Sequence, residues 1–492
     1  MKNLLFIFTD QLRYDAIGAN GNPYIQTPAL DALAADSVVF DYCLTPSPVC
    51  VPARLSMLSG RYCARTGCNA NNKNAAYTGN GVYASLTEAG LHSCCVGKMH
   101  NSRDLYGKMG FDSRFTQEEM SNPLDDYTQW LCASPYKNVF DYNGQRSEMY
   151  YVPQVAQLPA EAHPTQWVGD RSVEYLENLK EGEPFFLFSS FIHPHPPFCP
   201  PAPWNKLYRR ESIPAPFIPE NYKDYKCMMT PTFDCDNLGV TEKAAKRLKN
   251  YYYACVSFVD YQVSRIIKTL KDRGLYDDTI IVFSSDHGEF LGDYSGFGKR
   301  SMLNPAAHVP LMMKIPGKTP CRRDDVVSLV DIAPTLMALE GLPYDKDEYD
   351  GIDVFAEKHD FVYSQYSNRY NGSYMIAGRD DKLIYVCEEE KYFYFNEIPE
   401  KDNLYDPENP RIAEMQRLLE AHIAGDIGVL PKKKVKTGGV LNPKKIKDFG
   451  AAWMDHLKRH DEEKARIPEG YTIDLPDMEP EPDLVTGPAK NG

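Results

Sequence analysis

The chain has 492 residues, a formal net charge of −14 from 54 basic and 68 acidic side chains, and 43% hydrophobic residues. Nucleic-acid-binding proteins usually carry a basic surface, so this charge balance argues against that class of function. The composition is that of a folded protein, and no apolar stretch approaches the roughly 18 residues that a membrane helix needs. The length predicts one large domain together with a smaller one.

The cysteines and the N-terminal residues bear on the cellular compartment. Thirteen cysteines, an odd number spread over the chain, fit a reducing compartment better than a disulfide scaffold. The apolar run at 4–8 is too short for a secretory signal, and no small-residue cleavage site follows it. We therefore expect a cytoplasmic protein, unless a leader was removed from the sequence, with neither a membrane nor a nucleic acid among its partners.

Four short apolar runs lack alternation, which is typical of strands that are covered on both faces of a sheet. Each is followed directly by a polar cluster, and the four pairs of run and cluster are 4–8 with 9–11, 93–97 with 98–100, 184–192 with 193–197, and 279–285 with 286–289. Amphipathic helical stretches lie between the runs, at 28–35, 170–180 and 241–273. This alternation predicts an α/β fold, a large doubly wound and mostly parallel sheet flanked by helices. Because ligands bind at the carboxyl edge of such sheets, we expect the four polar clusters to meet in one site.

The sequence changes character beyond about residue 345. Four short segments separated by turn residues predict an antiparallel sheet, with strands at 361–366, 373–378, 382–387 and 392–395. A helix is predicted near 411–424, and the lysine-rich and acidic Pro-rich segments after residue 430 resemble a surface tail. We therefore predict a main α/β domain at 1–345, a smaller C-terminal α+β domain at 346–430 and an extended tail at 431–492.

A Pro-rich turn at 46–54 contains Cys50 and Arg54 and precedes a predicted helix at 55–62. A cysteine beside an arginine at a helix N-terminus has a lowered pKa, which makes Cys50 a candidate reactive group. The residue chemistry alone leaves equal room for a buried structural cysteine in a loop.

The sequence around Cys50 resembles the signature of type I sulfatases, a family of the alkaline phosphatase superfamily. The signature reads Cys50-x-Pro52-x-Arg54 and continues as Leu-Ser-Met-Leu-Ser-Gly-Arg. Further family blocks occur in the expected order along the chain: Phe-Thr-Asp-Gln at 8–11 before the signature, and after it Gly-Lys-Met-His at 97–100, Pro-His-Pro-Pro at 194–197, Asp-His-Gly-Glu at 286–289 and Ala-His-Val-Pro-Leu at 307–311. Lys299 falls where the family places its anion-binding lysine. The resemblance covers roughly residues 3–340 and implies an alkaline phosphatase-like fold and a sulfate-ester hydrolase.

The resemblance implies that Cys50 is converted to formylglycine by a formylglycine-generating enzyme, which recognises Pro52 and Arg54 as part of its target sequence. One hydroxyl of the hydrated aldehyde would attack sulfur and expel the alcohol. The other would be deprotonated and collapse to the aldehyde, releasing sulfate, so that one difficult step is divided into two easier ones.

The resemblance also implies a divalent metal held by Asp10, Gln11, Asp286 and His287, with an oxygen of the modified Cys50 completing the ligands. Ca²⁺, which prefers oxygen ligands, is the expected ion. Many relatives carry a second Asp at the position of Gln11, and often an Asn at that of His287. Because a neutral amide and an imidazole lower the negative charge of the site, Mg²⁺ and Mn²⁺ are alternatives to Ca²⁺.

A set of cationic residues follows from the same resemblance. Positioned cations stabilise the negative charge that spreads over a sulfuryl group in its transition state. By resemblance, Lys98 and Lys299 bind sulfate oxygens, and Arg54 supports the nucleophile. His100 is the candidate base for the collapse step, and His195 contacts sulfate or protonates the leaving oxygen.

Three other polar residues have weaker assignments. Asn71 follows the signature helix and is a candidate substrate contact, with a turn as its alternative role. His193 is the less functional neighbour of His195, and His308 either shapes the site or packs.

The leading hypothesis is a sulfatase acting on a small sulfate monoester of a carbohydrate, such as a glycosaminoglycan-derived fragment, and on artificial aryl sulfates. The alternatives are a phosphonate monoester or phosphodiester hydrolase, a choline-sulfatase-like enzyme, and a non-catalytic sulfoglycan-binding protein of the same fold. The block at 97–100 favours a sulfatase over the phosphonate hydrolases, but choline sulfatases share it. The expected specificity regions, at 101–165, at 199–240 and in the C-terminal domain, carry no readable motif.

Overall fold

The computed structural model of the chain describes residues 1–71, 77–101, 105–146, 150–208, 213–225, 233–367, 372–386, 390–396, 399–426 and 468–471. The strands within these residues, numbered along the chain, are β1 (Asn3–Asp10), β2 (Val38–Leu44), β3 (His92–Gly97), β4 (Ser113–Thr116), β5 (Phe185–Pro194), β6 (Phe233–Asp234), β7 (Thr279–Ser285), β8 (Gly296–Phe297), β9 (His308–Lys314), β10 (Cys321–Ser328), β11 (Val362–Ser367), β12 (Gly372–Ala377), β13 (Asp381–Val386) and β14 (Glu390–Phe395).

Eight of these strands form one large sheet in the order β10-β2-β9-β7-β1-β5-β3-β4. Neighbouring strands are parallel except where β9 runs antiparallel to β2 and β7. The predicted, mostly parallel sheet is therefore confirmed. Because β9 runs in reverse, its first residue, His308, pairs with Leu44 at the carboxyl edge of the parallel strands.

The helices of the described residues are α1 (Pro28–Ala35), α2 (Cys50–Ser59), α3 (Cys63–Thr66), α4 (Gly81–Glu88), α5 (Asp126–Cys132), α6 (Pro164–Asn178), α7 (Tyr222–Tyr225), α8 (Cys235–Leu238), α9 (Glu242–Asp272), α10 (Asn304–Ala307), α11 (Ile332–Leu339) and α12 (Pro410–Ala424). Among them, none has both the length and the apolar character that crossing a membrane would require.

Helices cover both faces of the large sheet. Leu5 and Ile7 of β1 face a core that α1, α6 and α9 complete, whereas Phe6 and Phe8 face a second core with α2, α4 and α11. Successive side chains of a strand point to opposite faces, so a strand between two helical layers is apolar at every position. This is why the strands read as continuous apolar runs.

Strands β11 to β14 form a separate antiparallel sheet in that order. One of its faces packs on α12, where Ile376 meets Ile412 and Met415. Its other face packs against the large domain, with Met375 in one core with Leu44. The predicted antiparallel sheet is confirmed, although the last residue of its third predicted strand, 387, lies outside the described residues.

The helix predicted at 55–62 is wrong in its bounds, since α2 begins at Cys50 and ends before Gly60, whose φ of 65° is left-handed. The predicted tail at 431–492 lies outside the described residues except for 468–471. There Tyr471 packs on Trp204 and Tyr261, so this short segment is bound to the large domain.

Candidate active site

The four polar clusters predicted to meet do so at the carboxyl edge of the large sheet. Thr9 pairs with Ser285, and Asp10 pairs with Pro194, so the ends of β1, β5 and β7 lie side by side. β3 joins them because Gly97 pairs with Ser190. The topological prediction of one composite site is therefore confirmed.

Cys50 is the first residue of α2 and is 1% exposed. Its Sγ lies 3.0 Å from Lys299 Nζ, 3.2 Å from His287 Nε2 and 3.8 Å from Asp10 Oδ1. Burial and the Asp10 carboxylate raise the pKa of the Cys50 thiol, but Lys299, Lys98 and His287 outweigh them and lower it well below its usual range. The position therefore favours an anionic nucleophile.

A candidate metal site adjoins Cys50. Donor atoms of Asp10, Cys50, Asp286 and His287, all buried, lie within 4.8 Å of one another. His287 Nδ1 donates to the Gly288 carbonyl at 3.1 Å, which leaves the lone pair of Nε2 directed at the other donors. Two carboxylates and an imidazole oriented in this way fit a divalent cation.

The amide of Gln11 is also held in an orientation suited to a metal ligand. Its Nε2 donates to Glu289 and its Oε1 accepts a hydrogen bond from Lys299 Nζ at 2.9 Å. The backbone N–H of Gln11 donates to Asp286 Oδ1 at 3.0 Å, from a left-handed φ of 67°. The side-chain oxygen Oε1 of Gln11 and Nε2 of His287 thus both point toward the position of Lys299 Nζ.

The two candidate metal carboxylates have opposite pKa shifts. Burial opposes ionisation of Asp10, but Lys98, His195, Lys299 and Arg54 lower its pKa well below the usual range. Burial and the neighbouring Asp10 raise the pKa of Asp286. Two carboxylates this close repel each other, and a divalent cation between them would relieve that repulsion.

Arg54 donates hydrogen bonds to both carboxylates, Asp10 and Asp286. Its Nε donates to Asp286 Oδ2 at 2.8 Å and its Nη2 to Asp10 Oδ2 at 3.2 Å. Its Nη1 donates to the Lys98 carbonyl and to Ser190 Oγ, both at 3.2 Å. The guanidinium therefore fixes the candidate metal ligands, and its predicted support of the nucleophile stays a prediction.

Lys98 and His195 line the other side of Cys50. Lys98 Nζ, fully buried, bonds Asp10 Oδ2 at 2.5 Å and also bonds Glu119. His195 Nδ1 donates to the Pro196 carbonyl at 2.7 Å, so Nε2 points into the site, 4.0 Å from Asp10 Oδ1. Burial lowers the pKa of His195.

His100 lies farther out than these residues. Its side chain is 23% exposed, and its Nδ1 is 3.7 Å from Glu119 Oε1 without a hydrogen-bond partner in the described part of the chain. Its predicted role as a base stays a prediction.

The remaining sequence candidates have packing or capping contacts. Asn71 is exposed and its Oδ1 accepts a hydrogen bond from the backbone N–H of Val51 at 3.0 Å, which supports the first turn of α2. His308 stacks on Tyr14 with ring centroids 4.0 Å apart. His193 is buried and its Nδ1 lies 3.0 Å from Thr165 Oγ1.

Sequence reasoning assigned no role to Glu289, although the residue lies in a family block. Its Oε1 accepts the backbone N–H groups of Leu291 and Gly298, and its Oε2 accepts the Tyr151 hydroxyl at 2.9 Å and the Gln11 amide. Glu289 therefore fixes both the loop that carries Lys299 and the amide of Gln11.

Three other site residues were missed altogether: Glu119, Arg146 and Tyr150. Glu119 follows β4, a strand of four mostly half-exposed residues without an apolar run. Arg146 Nη1 binds Glu119 Oε2 at 3.1 Å, and the Tyr150 hydroxyl lies 3.4 Å from His195 Nε2. All three fall within the predicted specificity region at 101–165. The sequence signal for Glu119 would have been its place just after a strand at 113–116, but that strand was not predicted.

Comparisons with known proteins agree with this geometry. The Sulfatase family profile matches residues 2–342. The chain is 28% identical to an arylsulfatase of Clostridium perfringens, covering 86% of this chain and 94% of the relative. It is 30% identical to a choline-sulfatase of Rhizobium meliloti, covering 85% of each. Among solved structures, it resembles a phosphonate monoester hydrolase of Agrobacterium radiobacter with a TM-score of 0.73 and 21% identity, over 86% of this chain and 96% of the other.

Proposed function

Because the chain belongs to the sulfatase family and is a sulfuric ester hydrolase, we propose that its substrate is a sulfated carbohydrate and its nucleophile is a formylglycine made from Cys50.

The observation that carries the proposal is the convergence of an ammonium, an imidazole and a carboxylate on Cys50 Sγ. This atom marks where an oxygen of the modified residue would lie. The positive charge of Lys299 stabilises the anionic form of such an oxygen and orients it for attack on sulfur. A divalent cation held by Asp10, Gln11, Asp286 and His287 would supply Lewis acidity at the same place.

Two residues on the far side of Cys50 are suited to hold the sulfate group. The reacting sulfur must approach the nucleophile to about 3–3.5 Å, which brings its oxygens within reach of Lys98 Nζ and His195 Nε2. When it is protonated, His195 Nε2 can donate to a sulfate oxygen or to the leaving oxygen. The hydrogen bond from its Nδ1 to Pro196 keeps the ring in the required orientation.

The charge at the rim of the site favours an anionic or neutral sugar over choline sulfate. Arg146 is 25% exposed there, and its guanidinium would repel a quaternary ammonium. The carboxylate of Glu119, beside Arg146, is already paired with Lys98 and Arg146. An acidic surface with a net charge of −14 further favours a short sulfated fragment over a long polyanion.

Mass spectrometry of the peptide containing residue 50, from protein made in its native host, tests the nucleophile. We expect the sulfur of Cys50 to be replaced by the aldehyde oxygen of formylglycine. An unmodified thiol in active protein would reject the proposed nucleophile.

A panel of esters then tests the substrate. We expect kcat/KM for sulfated mono- and disaccharides to exceed that for choline sulfate and for phosphonate monoesters or phosphodiesters. Phosphodiesters hydrolysed as fast as sulfate esters would favour the phosphonate and phosphodiester hydrolases instead. Choline sulfate as the best substrate would overturn the argument from Arg146.

The proposed formylglycine implies a formylglycine-generating enzyme as a transient partner during maturation, and from the odd number of cysteines we also propose a cytoplasmic location. Coexpression with such an enzyme should raise the specific activity of recombinant protein, and fractionation of the native host should recover the protein in the cytoplasm. Activity that is independent of the maturing enzyme would contradict the first expectation.

A further inference from the structure

A carboxylate lies among the cations that are suited to bind sulfate. Glu119, with a side chain 17% exposed, bonds Lys98 Nζ through Oε1 and Arg146 Nη1 through Oε2, the latter at 3.1 Å. The same Oε1 is 3.8 Å from His195 Nε2 and 3.7 Å from His100 Nδ1. All four basic groups on this side of the nucleophile therefore lie close to the same carboxylate, and Lys98 Nζ also bonds Asp10 Oδ2 at 2.5 Å.

This carboxylate occupies space that the substrate needs. A carboxylate oxygen of Glu119, Cys50 Sγ and a ring nitrogen of His195 lie within 4.8 Å of one another. A sulfur atom about 3–3.5 Å from the nucleophile would place its oxygens in the same region. Sulfate and carboxylate oxygens are both anionic acceptors, so they cannot share the protons of Lys98 without repulsion.

Arg146 offers the carboxylate an alternative position. Its Nη1 already binds Glu119, whereas its Nη2 is buried and has no hydrogen-bond partner in the described residues. A guanidinium can bind a carboxylate through two parallel hydrogen bonds. A change of the Glu119 rotamer that releases Lys98 could therefore bring both carboxylate oxygens onto Arg146.

We propose that Glu119 is an exchangeable carboxylate, which neutralises Lys98 in the substrate-free enzyme and is replaced there by the sulfate group while Arg146 receives it. The inference rests on the proposed function in taking Lys98 as a sulfate contact. Glu119 is then a positioning residue that sets the affinity for sulfate and sulfate esters. Because only the exchanged state can bind, the apparent affinity is lower than the intrinsic one by the fraction of molecules in that state.

Binding of inorganic sulfate tests the exchange without requiring turnover. Calorimetric titration of full-length, metal-supplemented Cys50→Ala protein is compared with the same protein carrying Glu119→Gln, a neutral side chain of equal size. If about a tenth of the substrate-free molecules are in the exchanged state, Glu119→Gln should tighten sulfate binding about tenfold. Weaker binding would show instead that Glu119 orients Lys98 for sulfate, and unchanged binding would show that it does not compete. Either result overturns the proposal.

Arg146→Ala provides the second arm. In the presence of Glu119 it should weaken sulfate binding, because the displaced carboxylate has no partner, whereas in the Glu119→Gln background it should have little effect. Equal effects of Arg146→Ala in both backgrounds would contradict the exchange. Glu174→Gln, which removes a carboxylate paired with Arg171 on the surface, is the matched control and should leave sulfate affinity unchanged.

In enzyme that retains Cys50, Glu119→Gln should lower KM for a sulfate ester more than it changes kcat. A purely structural defect would instead lower kcat and the thermal midpoint together. Sulfate-ester turnover with unchanged sulfate binding in Glu119→Gln would reject the exchange alone. Absence of both turnover and sulfate binding in every variant would reject the exchange and the proposed function together.

Discussion

Replacing Lys299 by methionine would remove one buried positive charge from the nucleophile while retaining most of the side-chain length. Lys299 Nζ lies 3.0 Å from Cys50 Sγ, 2.9 Å from Gln11 Oε1 and 3.1 Å from His287 Nε2, and the residue is 5% exposed. Loss of one positioned group that stabilises developing negative charge typically lowers kcat by about 10²- to 10³-fold, or about 3–4 kcal/mol. We expect a loss of that size for Lys299→Met.

The same variant should remain folded, which separates catalysis from stability. Asp10 and Asp286 keep Arg54, and Asp10 keeps Lys98, so neither carboxylate is left without a cation. The thermal midpoint of Lys299→Met should therefore fall by no more than a few degrees, which corresponds to about 1 kcal/mol for a protein of this size.

A second buried lysine provides the matched control. Lys382 is fully buried in the C-terminal sheet, where its Nζ pairs with Glu400 and bonds Asn304 Oδ1 at 2.8 Å. Breaking such a pair costs about 3–5 kcal/mol because one buried charge stays uncompensated. Lys382→Met should lower stability but retain kcat per folded molecule.

The assay is kcat on an aryl sulfate with metal-saturated protein, normalised to the fraction modified at residue 50 by mass spectrometry. Thermal unfolding of the same samples gives the stability. A Lys299→Met enzyme with kcat within threefold of the wild type would refute the electrostatic argument. Equal losses of kcat in the two variants, measured where both are folded, would refute the separation of catalysis from stability.

Three further expectations follow from the contacts. Chelation of divalent metal should abolish turnover, with recovery on adding back Ca²⁺, Mg²⁺ or Mn²⁺, and full activity in chelator would contradict the metal site. Burial lowers the pKa of His359, but its bond to Asp331 at 2.8 Å outweighs this and raises the pKa. The free energy of unfolding of the wild type should therefore exceed that of His359→Gln by its full amount below about pH 6.5, and this difference should be lost as the pH rises through the folded-state pKa of His359. A difference in urea unfolding that stays constant from about pH 6 to 9 would contradict this expectation. Gly97→Ala should destabilise the protein and lower kcat, because Gly97 has a φ of 96° and an added Cβ would lie 2.0 Å from the Ser190 carbonyl oxygen. Gly182→Ala is the control: Gly182 has a φ of 76° with open space around it, so this variant measures the cost of the backbone conformation alone.

The central strands and their polar ends could be predicted because they obey simple rules. β1 and β7 are covered by helices on both faces, so their central residues, 4–8 and 280–283, are all apolar, and their ends are marked by Asp10 and Asp286. Parallel strands place those ends at one edge, and topology alone then brings the clusters together. The antiparallel strand β9 left no comparable signal, because its sequence is apolar like the others and its direction depends on the neighbours β2 and β7.

The contacts around the nucleophile could be predicted only in part. The residue types at 9–11, 98–100 and 286–289 were visible in the sequence, but the bonding of Glu289 to Gln11 and to the loop of Lys299 depends on tertiary structure. Glu119 was missed because β4 is short and half-exposed, so periodicity gives no sign of a strand before it. Arg146 was missed for a different reason: it lies in an irregular segment, and only its ion pair with Glu119 places it at the site.

The net charge of −14 and the cationic site are compatible because the permanently charged groups closest to the nucleophile are buried. Lys98, Arg54 and Lys299 are almost completely buried, where a charge is weakly screened and costly unless it is paired. In the substrate-free enzyme, Asp10 and Asp286 pair with Arg54, and Asp10 and Glu119 pair with Lys98, whereas Lys299 bonds Gln11, Cys50 and His287. Of the two carboxylates on Lys98, Glu119 is the one that also binds Arg146 at the rim. A sulfate group that replaces Glu119 therefore exchanges one negative charge for another at Lys98, which remains paired before and after binding, while the acidic surface disfavours long polyanions.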